Sequence, residues 1–313
     1  MVQRSYLLLS RRGLSLVTLS MLCSGLLMAQ SYNHFTLHQY NPSYLNPASA
    51  TRNDEVRLAA FHRSQYVGLS SEAIGAQVVS VDAKLPSRPF TTGIHFSHDY
   101  VGLQRSMGFR IDGGWQAIRK DNFRLTTGFG LGFRNLSWAG DQMITPEGVY
   151  AGVIDHQDDV LLNTAYNAQG FEWRAGIQLA YKGLSVDFGS VNFPKAKRNG
   201  ENNYNVAASS QSWLRMKYQL DIGDQWRLTP QTLILSDGRI YQYSLSVHLT
   251  HDKWLFGLNQ RGLTSTSLEA LGLAVGYTFG KNFQVLYNYE YNLSLLGSVN
   301  VGSHELCLTW RRA

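Results

Sequence analysis

The sequence is poor in cysteine, proline and charge, and beyond its first thirty residues it has no long apolar run. Of 313 residues, two are cysteine and seven proline, and charged residues make up 16%, where about a quarter is usual. After residue 30 nothing approaches the roughly eighteen consecutive apolar residues that a spanning helix requires. That excludes a helical membrane protein. A surplus of one charge sign is missing too. The formal charge is +6, but Arg4, Arg11 and Arg12 sit in the first thirty residues, where no acid stands. Setting those three aside leaves 25 basic against 22 acidic residues, a balance of +3. This is too weak and too scattered for a partner such as nucleic acid.

Arg4, Arg11 and Arg12 precede the apolar run Gly13 to Met28 and then Ala29-Gln30, the layout of an export signal. The competing reading, a transmembrane anchor, suits the run less because it is short. Residues 1–29 are therefore read as a signal peptide cleaved after Ala29. Cys23 would fit a lipoprotein, but Ser20-Met21-Leu22 before it lacks the small residues that such processing prefers. Cys307 is then the one cysteine left, and no internal disulfide is possible. Such a protein leaves the cytoplasm, and if it crosses a membrane it does so as strands.

What the chain has in plenty is glycine, at 29 residues, and aromatics, at 12% with tyrosine the commonest. The stretch "FRLTTGFGLGFRN", Phe123 to Asn135, shows how they are used. Phe123, Leu125, Phe129, Leu131 and Phe133 alternate with Arg124, Thr126, Gly128, Gly130, Gly132 and Arg134. Side chains alternate faces along a strand, so one face is apolar and the other polar and partly empty. At about 3.3 Å per residue the strand is roughly 35 Å long, beyond the usual five or six residues. The pattern recurs at 171–182, 214–222, 241–250, 271–279 and 283–292. Weaker versions lie near 55–64, 74–84, 91–98, 105–116, 184–190, 226–235, 253–259 and 303–311, about fourteen strands in all. A helical stripe would mix Arg with Phe in these windows, so few sizeable helices are expected.

The connections alternate as well. Those at 65–73, 137–168, 191–211, 260–268 and 293–302 are long, whereas 117–122, 182–183, 223–225 and 280–282 are short. Short turns at one end and long loops at the other mark an outer-membrane β-barrel. The fold expected is all-β: a closed antiparallel transmembrane barrel over 54–313, apolar toward lipid, with both termini on the periplasmic side. A soluble sandwich or propeller also alternates, but its strands are shorter and its polar face carries more charge.

No catalytic constellation is present. "HFSH", His95 to His98, puts its two rings on opposite faces of a strand. Neither H-E-x-x-H nor G-x-S-x-G occurs, and "GFGLGF" lacks the lysine of a phosphate loop. "HQDD", His156 to Asp159, lacks the spacing of a calcium loop and reads as a solvated acidic loop. No enzyme activity, metal or cofactor is expected, although the residues of an outer-membrane hydrolase can lie on separate strands. The expected inner face carries both signs: Arg110, Asp112, Arg124, Arg134, Glu172, Arg174, Asp187, Arg215, Lys217, Glu290 and Glu305. A selective pore shows rings of one sign; mixed signs suit ion-paired networks that brace a wall or hold a plug.

Three stretches together resemble a known family. They are "HQYNPSYLNPASATRNDEVRLAAFHRSQYVGLS", with Asn-Pro steps at Asn41-Pro42 and Asn46-Pro47, "HDYVGLQRSMGF" at 98–109, and "YNYEYNLSLLGSVNVGSHELCLTW" at 287–310. The likeness is to the PorP/SprF family of the type IX secretion system, outer-membrane proteins of gliding and gingival Bacteroidetes. It singles out Tyr40, Asn41, Pro42, Asn46, Pro47, Gly302, Ser303, His304 and Glu305 as motif residues and lumen candidates. It implies a non-enzymatic role in which secreted type IX cargo, such as an adhesin, is recognised through its C-terminal domain for export or surface attachment. Implied partners are that cargo, other secretion or gliding subunits and outer-membrane lipid.

The segment 30–53, ahead of the first strand, is rich in aromatics and short of helix formers. Proline fixes φ and removes a donor, so an extended or turning run is expected. It either tucks into the periplasmic mouth or lumen, with Tyr40, Tyr44 and Asn46 against the wall, or trails as a tail. The long loops 137–168 and 191–211 are the expected cargo contacts, with Trp138, Tyr150 and Tyr204 as anchors. A porin-like channel is the alternative function.

Overall fold

The computed structural model describes residues 35–49, 56–69, 74–85, 88–157, 163–193, 196–198, 205–206, 209–238, 240–263 and 268–312. The expected signal peptide lies outside them. Fourteen strands form the barrel. They are β1 (Val56–Gln65), β2 (Ile74–Lys84), β3 (Phe90–Val101), β4 (Gln104–Lys120), β5 (Phe123–Trp138), β6 (Tyr166–Tyr181) and β7 (Leu184–Phe193). The ring continues with β8 (Ser209–Tyr218), β9 (Trp226–Ser236), β10 (Tyr241–His251), β11 (Trp254–Leu263), β12 (Ala270–Phe279), β13 (Phe283–Asn292) and β14 (Ser303–Arg312). Short pieces at Ala196–Arg198, Asn205–Val206 and Leu220–Ile222 extend the sheet.

Each strand pairs antiparallel with its neighbours in sequence, and β1 pairs with both β2 and β14, from Val56 opposite Arg312 to Ser64 opposite His304. The ring is thus closed, and no backbone edge is left for lipid to strand. No described helix is long and apolar enough to span a membrane; the strands do it.

The alternation decides which way each side chain points. On β5, Phe129 and Leu131 are 52% and 57% exposed on the outside, while Gly130, Gly132 and Arg134 are buried inside. Registers place Ala60, Val79, Phe96, Phe109, Phe133 and Phe171 in one continuous outer row. In the next row toward the long loops stand His62, Gln77, His98, Met107, Asn135 and Gln169. The apolar band therefore ends between these two rows. From Phe123 to Phe133 it covers ten steps of about 3.3 Å, and a strand tilted by about 40° turns that into a band roughly 25 Å tall. His95 faces in and His98 out, as the spacing required.

Residues 35–49 run inside the ring. Instead of an extended chain they form a 3-10 turn at His38–Tyr40, one α-helical turn at Pro42–Leu45 and a second 3-10 turn at Pro47–Ser49. Of the extended and turning forms expected, the turning one forms, for a physical reason. Inside the wall there is no edge to pair with, so the amides must find partners locally or on wall side chains. Pro42 opens its turn at a position where the missing donor costs nothing, and the amide of Asn46 closes it on the Pro42 carbonyl at 2.9 Å. The inward glycines make the room. A Cβ on Gly128 would run into the backbone of Pro47 and Ala48, and one on Gly176 into the Asn46 side chain.

Candidate functional site

The wall holds this segment at three ionic centres and several neutral bonds. At the first, Arg63 of β1 donates to Glu290 of β13 at 2.6 Å and to Glu305 of β14 at 2.8 Å. Arg261 of β11 completes it, 3.0 Å from Glu290 and 2.7 Å from Glu269. The Glu305 carboxylate accepts the backbone N–H groups of Thr36 at 2.9 Å and Leu37 at 2.7 Å, and the Thr36 hydroxyl donates to Glu290. A carboxylate paired to a fixed guanidinium thus holds the first described turn of the segment by its backbone.

The second centre joins β3, β4, β5 and β6. Asp112 receives Arg174, at 3.0 Å from its Nε, and lies 2.8 Å from the His95 ring. Glu172 receives Arg110 at 3.1 Å and Arg134 at 2.8 Å. Arg174 also donates to the carbonyls of Ser43, Tyr44 and Leu45, and Arg110 to that of Tyr44 at 3.1 Å. These carbonyls end the α-helical turn and have no partner within it, so the guanidinium groups cap its negative end. The Arg110 guanidinium lies 4.7 Å from the centre of the Tyr44 ring. Burial, and after it the carboxylate of Asp99, raises the phenol pKa of Tyr44 above its ordinary value.

The third centre is Asp187 of β7, paired with Arg215 of β8 at 3.0 Å. It receives the Asn46 amide at 3.2 Å, the Gln178 amide at 2.8 Å and the Ser49 hydroxyl. Between the centres, Asn41 donates to Ser80 at 2.8 Å and Ser43 to Asp82 at 2.6 Å. The Tyr40 hydroxyl lies 2.7 Å from a ring nitrogen of His248. Apolar packing fills the rest: Phe35 meets Phe61 edge to face at 5.2 Å, and Leu45 packs against Val191, Trp213, Leu233 and Leu235.

The motif residues divide. Tyr40, Asn41, Pro42, Asn46 and Pro47 lie in the bound segment, and Glu305 is its strongest anchor. Ser303 is buried, and its hydroxyl accepts the backbone N–H of Tyr66 at 3.1 Å. Gly302 belongs to the rim of the long-loop end, where its carbonyl accepts the Val67 amide at 2.8 Å and its φ is +111°. His304 is corrected as a lumen candidate. It follows the inward Ser303 and so points out, its ring 2.6 Å from the Tyr287 hydroxyl. Trp138 stacks on Tyr166 at 5.0 Å and donates to Gln104, so it is built into the wall. The Tyr150 hydroxyl bonds within its own loop, to Thr145 and the His156 ring. Tyr204 lies outside the described residues.

Among the inner-face charges, Arg110, Asp112, Arg134, Glu172, Arg174, Asp187, Arg215, Glu290 and Glu305 are buried and ion-paired. Arg124 is half-buried at the short-turn end, and Lys217 lines the mouth there. The sequence pattern does not mark Arg63, Asp82 and Arg261, which are also buried inward. Their strands alternate weakly, because inward positions beside them such as Ala59, Phe61 and Leu255 are apolar. His156 braces the β5–β6 loop through the Gly140 carbonyl at 2.7 Å; Asp158 and Asp159 lie outside the described residues.

An apolar band outside, ion-paired charge inside and a closed ring define an outer-membrane β-barrel. The likeness to solved structures agrees with that fold. The toluene transporter TbuX of Ralstonia pickettii shares 11% identity at a TM-score of 0.50, with 85% of this chain and 92% of that one covered. The monoaromatic hydrocarbon channel CymD shares 11% at 0.50, covering 91% and 94%. Nothing among curated protein sequences matches this chain. The family model described as "Type IX secretion system membrane protein PorP/SprF" matches residues 27–310, and the chain belongs to that family.

Proposed function

We propose that this barrel is a non-enzymatic component of the type IX secretion machinery that binds secreted cargo through the cargo's C-terminal domain, for export or attachment at the cell surface. The observation that carries the reading is the bound segment. Residues 35–49 occupy the lumen and are tied to strands on every side of the ring. A filled lumen suits a partner-binding barrel better than a pore. We place the short turns and both ends of the barrel chain in the periplasm, and the long loops outside, where cargo is met. In the β5–β6 loop, Ile144 and Val153 are 81% and 89% exposed and offer more to a partner than the internally bonded Tyr150.

The test is a pull-down of the tagged protein from detergent-solubilised outer membranes, with mass spectrometry of what accompanies it. Large secreted proteins bearing a type IX C-terminal domain are the expected result; their absence sinks the reading. The channel reading draws support from the names of TbuX and CymD alone. Stable ion conductance of the purified protein in planar bilayers would favour it.

A further inference from the structure

At its short-turn end the lumen is not filled. A cavity of about 400 Å³ opens there, bounded by Gln39, Tyr40, Pro42 and Ser49 of the bound segment and by the wall. Its charged lining consists of Arg57, Arg311, Arg215, Lys217 and Arg227, and no carboxylate is among the described residues that line it. Two features of this lining call for an explanation.

First, Arg57 on β1 and Arg311 on β14 stand directly opposite each other in the register and both face the cavity. Like charges in directly opposed positions repel. Second, the other three cations are on β8 and β9, half-way round the ring from β1 and β14. The positive charge therefore sits on two facing walls.

Among the described residues, three carboxylates pair with these cations or stand opposite them. Asp187 is 3.0 Å from Arg215, Asp221 forms an exposed pair with Arg227 at 2.6 Å, and Asp82 is opposite Arg57 in the register. Among the described residues that sets three acids against five cations. In and beside the short turns around it, Arg88, Arg119, Lys120, Lys182, Lys253 and Lys281 are exposed against Asp121, Asp224 and Asp252. A molecule whose balance outside its first thirty residues is only +3 thus concentrates its positive charge at one mouth.

We propose that this mouth receives an extended acidic segment of a partner protein, laid across the opening so that its carboxylates reach both walls. A phosphate-sized anion offers charge at one point, whereas a strand-like acidic peptide carries carboxylates along its length and can meet cations on both walls. The surrounding glutamine and threonine side chains, Gln219, Thr229 and Thr250 among them, can bond to peptide backbone. The partner approaches from the periplasm if the orientation proposed above holds; binding itself does not depend on that orientation.

The test uses the full protein in detergent and a fluorescein-labelled peptide of about twelve residues, rich in Asp and Glu, beside its Asn/Gln isostere. Anisotropy is read at about 50 and about 300 mM NaCl, since screening weakens such contacts. The acidic peptide binds, the isostere does not, and salt weakens the complex. Lys217→Gln with Arg311→Gln lowers affinity about tenfold or more, Lys217→Arg with Arg311→Lys restores most of it, and Lys182→Gln with Lys281→Gln changes it less than about threefold. Should the first pair fail to assemble, Arg311→Gln alone, at an exposed position, carries the comparison. Equal binding of the isostere, or equal loss in the surface-lysine pair, overturns the proposal. So does displacement of the peptide by inorganic phosphate at the same concentration, which would make this a small-anion site. Cargo capture at the long loops is read separately by the pull-down, so either proposal can fail without the other.

Discussion

Arg63 links the wall to the segment inside it. Its guanidinium satisfies Glu290 and Glu305 at once, and Glu305 in turn accepts two backbone amides. Removing one partner of such a buried group strands the others and typically costs about 3–5 kcal/mol. Arg63→Leu is therefore expected to lower barrel stability by that order, read as an earlier urea midpoint. It should also make residues 35–49 cleavable by chymotrypsin at Tyr40 and Tyr44. Gly128→Val tests the segment apart from the charges. Its Cβ meets Pro47 and Ala48, whereas valine suits a strand. The expected outcome is normal barrel assembly with faster chymotrypsin cleavage of the segment; unchanged protection would mean that Pro47–Ser49 is not seated on β5.

Among the elements, β5 and β6 are legible because outward apolar residues (Phe129, Leu131 and Phe133; Phe171, Trp173 and Ile177) alternate with inward Gly, Arg, Glu and Gln near the middle of the wall. β1 and β9 were faint for the opposite reason. Their inward faces carry Phe61, and Leu233 and Leu235, which pack against the bound segment, so the simple rule of polar inside fails where the lumen is filled by protein. The turns of 35–49 had no periodic signal at all, since confinement by the wall produces them. His304 followed the motif but sits one residue out of phase with the buried Glu305. Under the proposed function, the β5–β6 loop is offered as the element that meets cargo. Replacing Ile144 and Val153 together by Glu is expected to cut recovery of cargo in the pull-down about tenfold, with barrel mobility on gels unchanged. Equal recovery would move the contact elsewhere.

For the whole molecule, the central question is passage. With residues 35–49 in place the protein is expected to give no steady current in planar bilayers. Deleting them should leave a ring with a wet, charged bore and stepwise conductance. A current from the intact chain, unchanged by the deletion, would mean that the segment does not stop flow. The way the ring closes has one more result. The segment precedes β1, but its firmest anchor, Glu305, stands on β14, and Glu290 stands on β13. The earliest and latest parts of the barrel to leave the ribosome therefore complete each other. A chain cut short before residue 303 loses its seam and its anchor together, so the architecture checks its own synthesis: only chains that reach through β14 can become both sealed and filled.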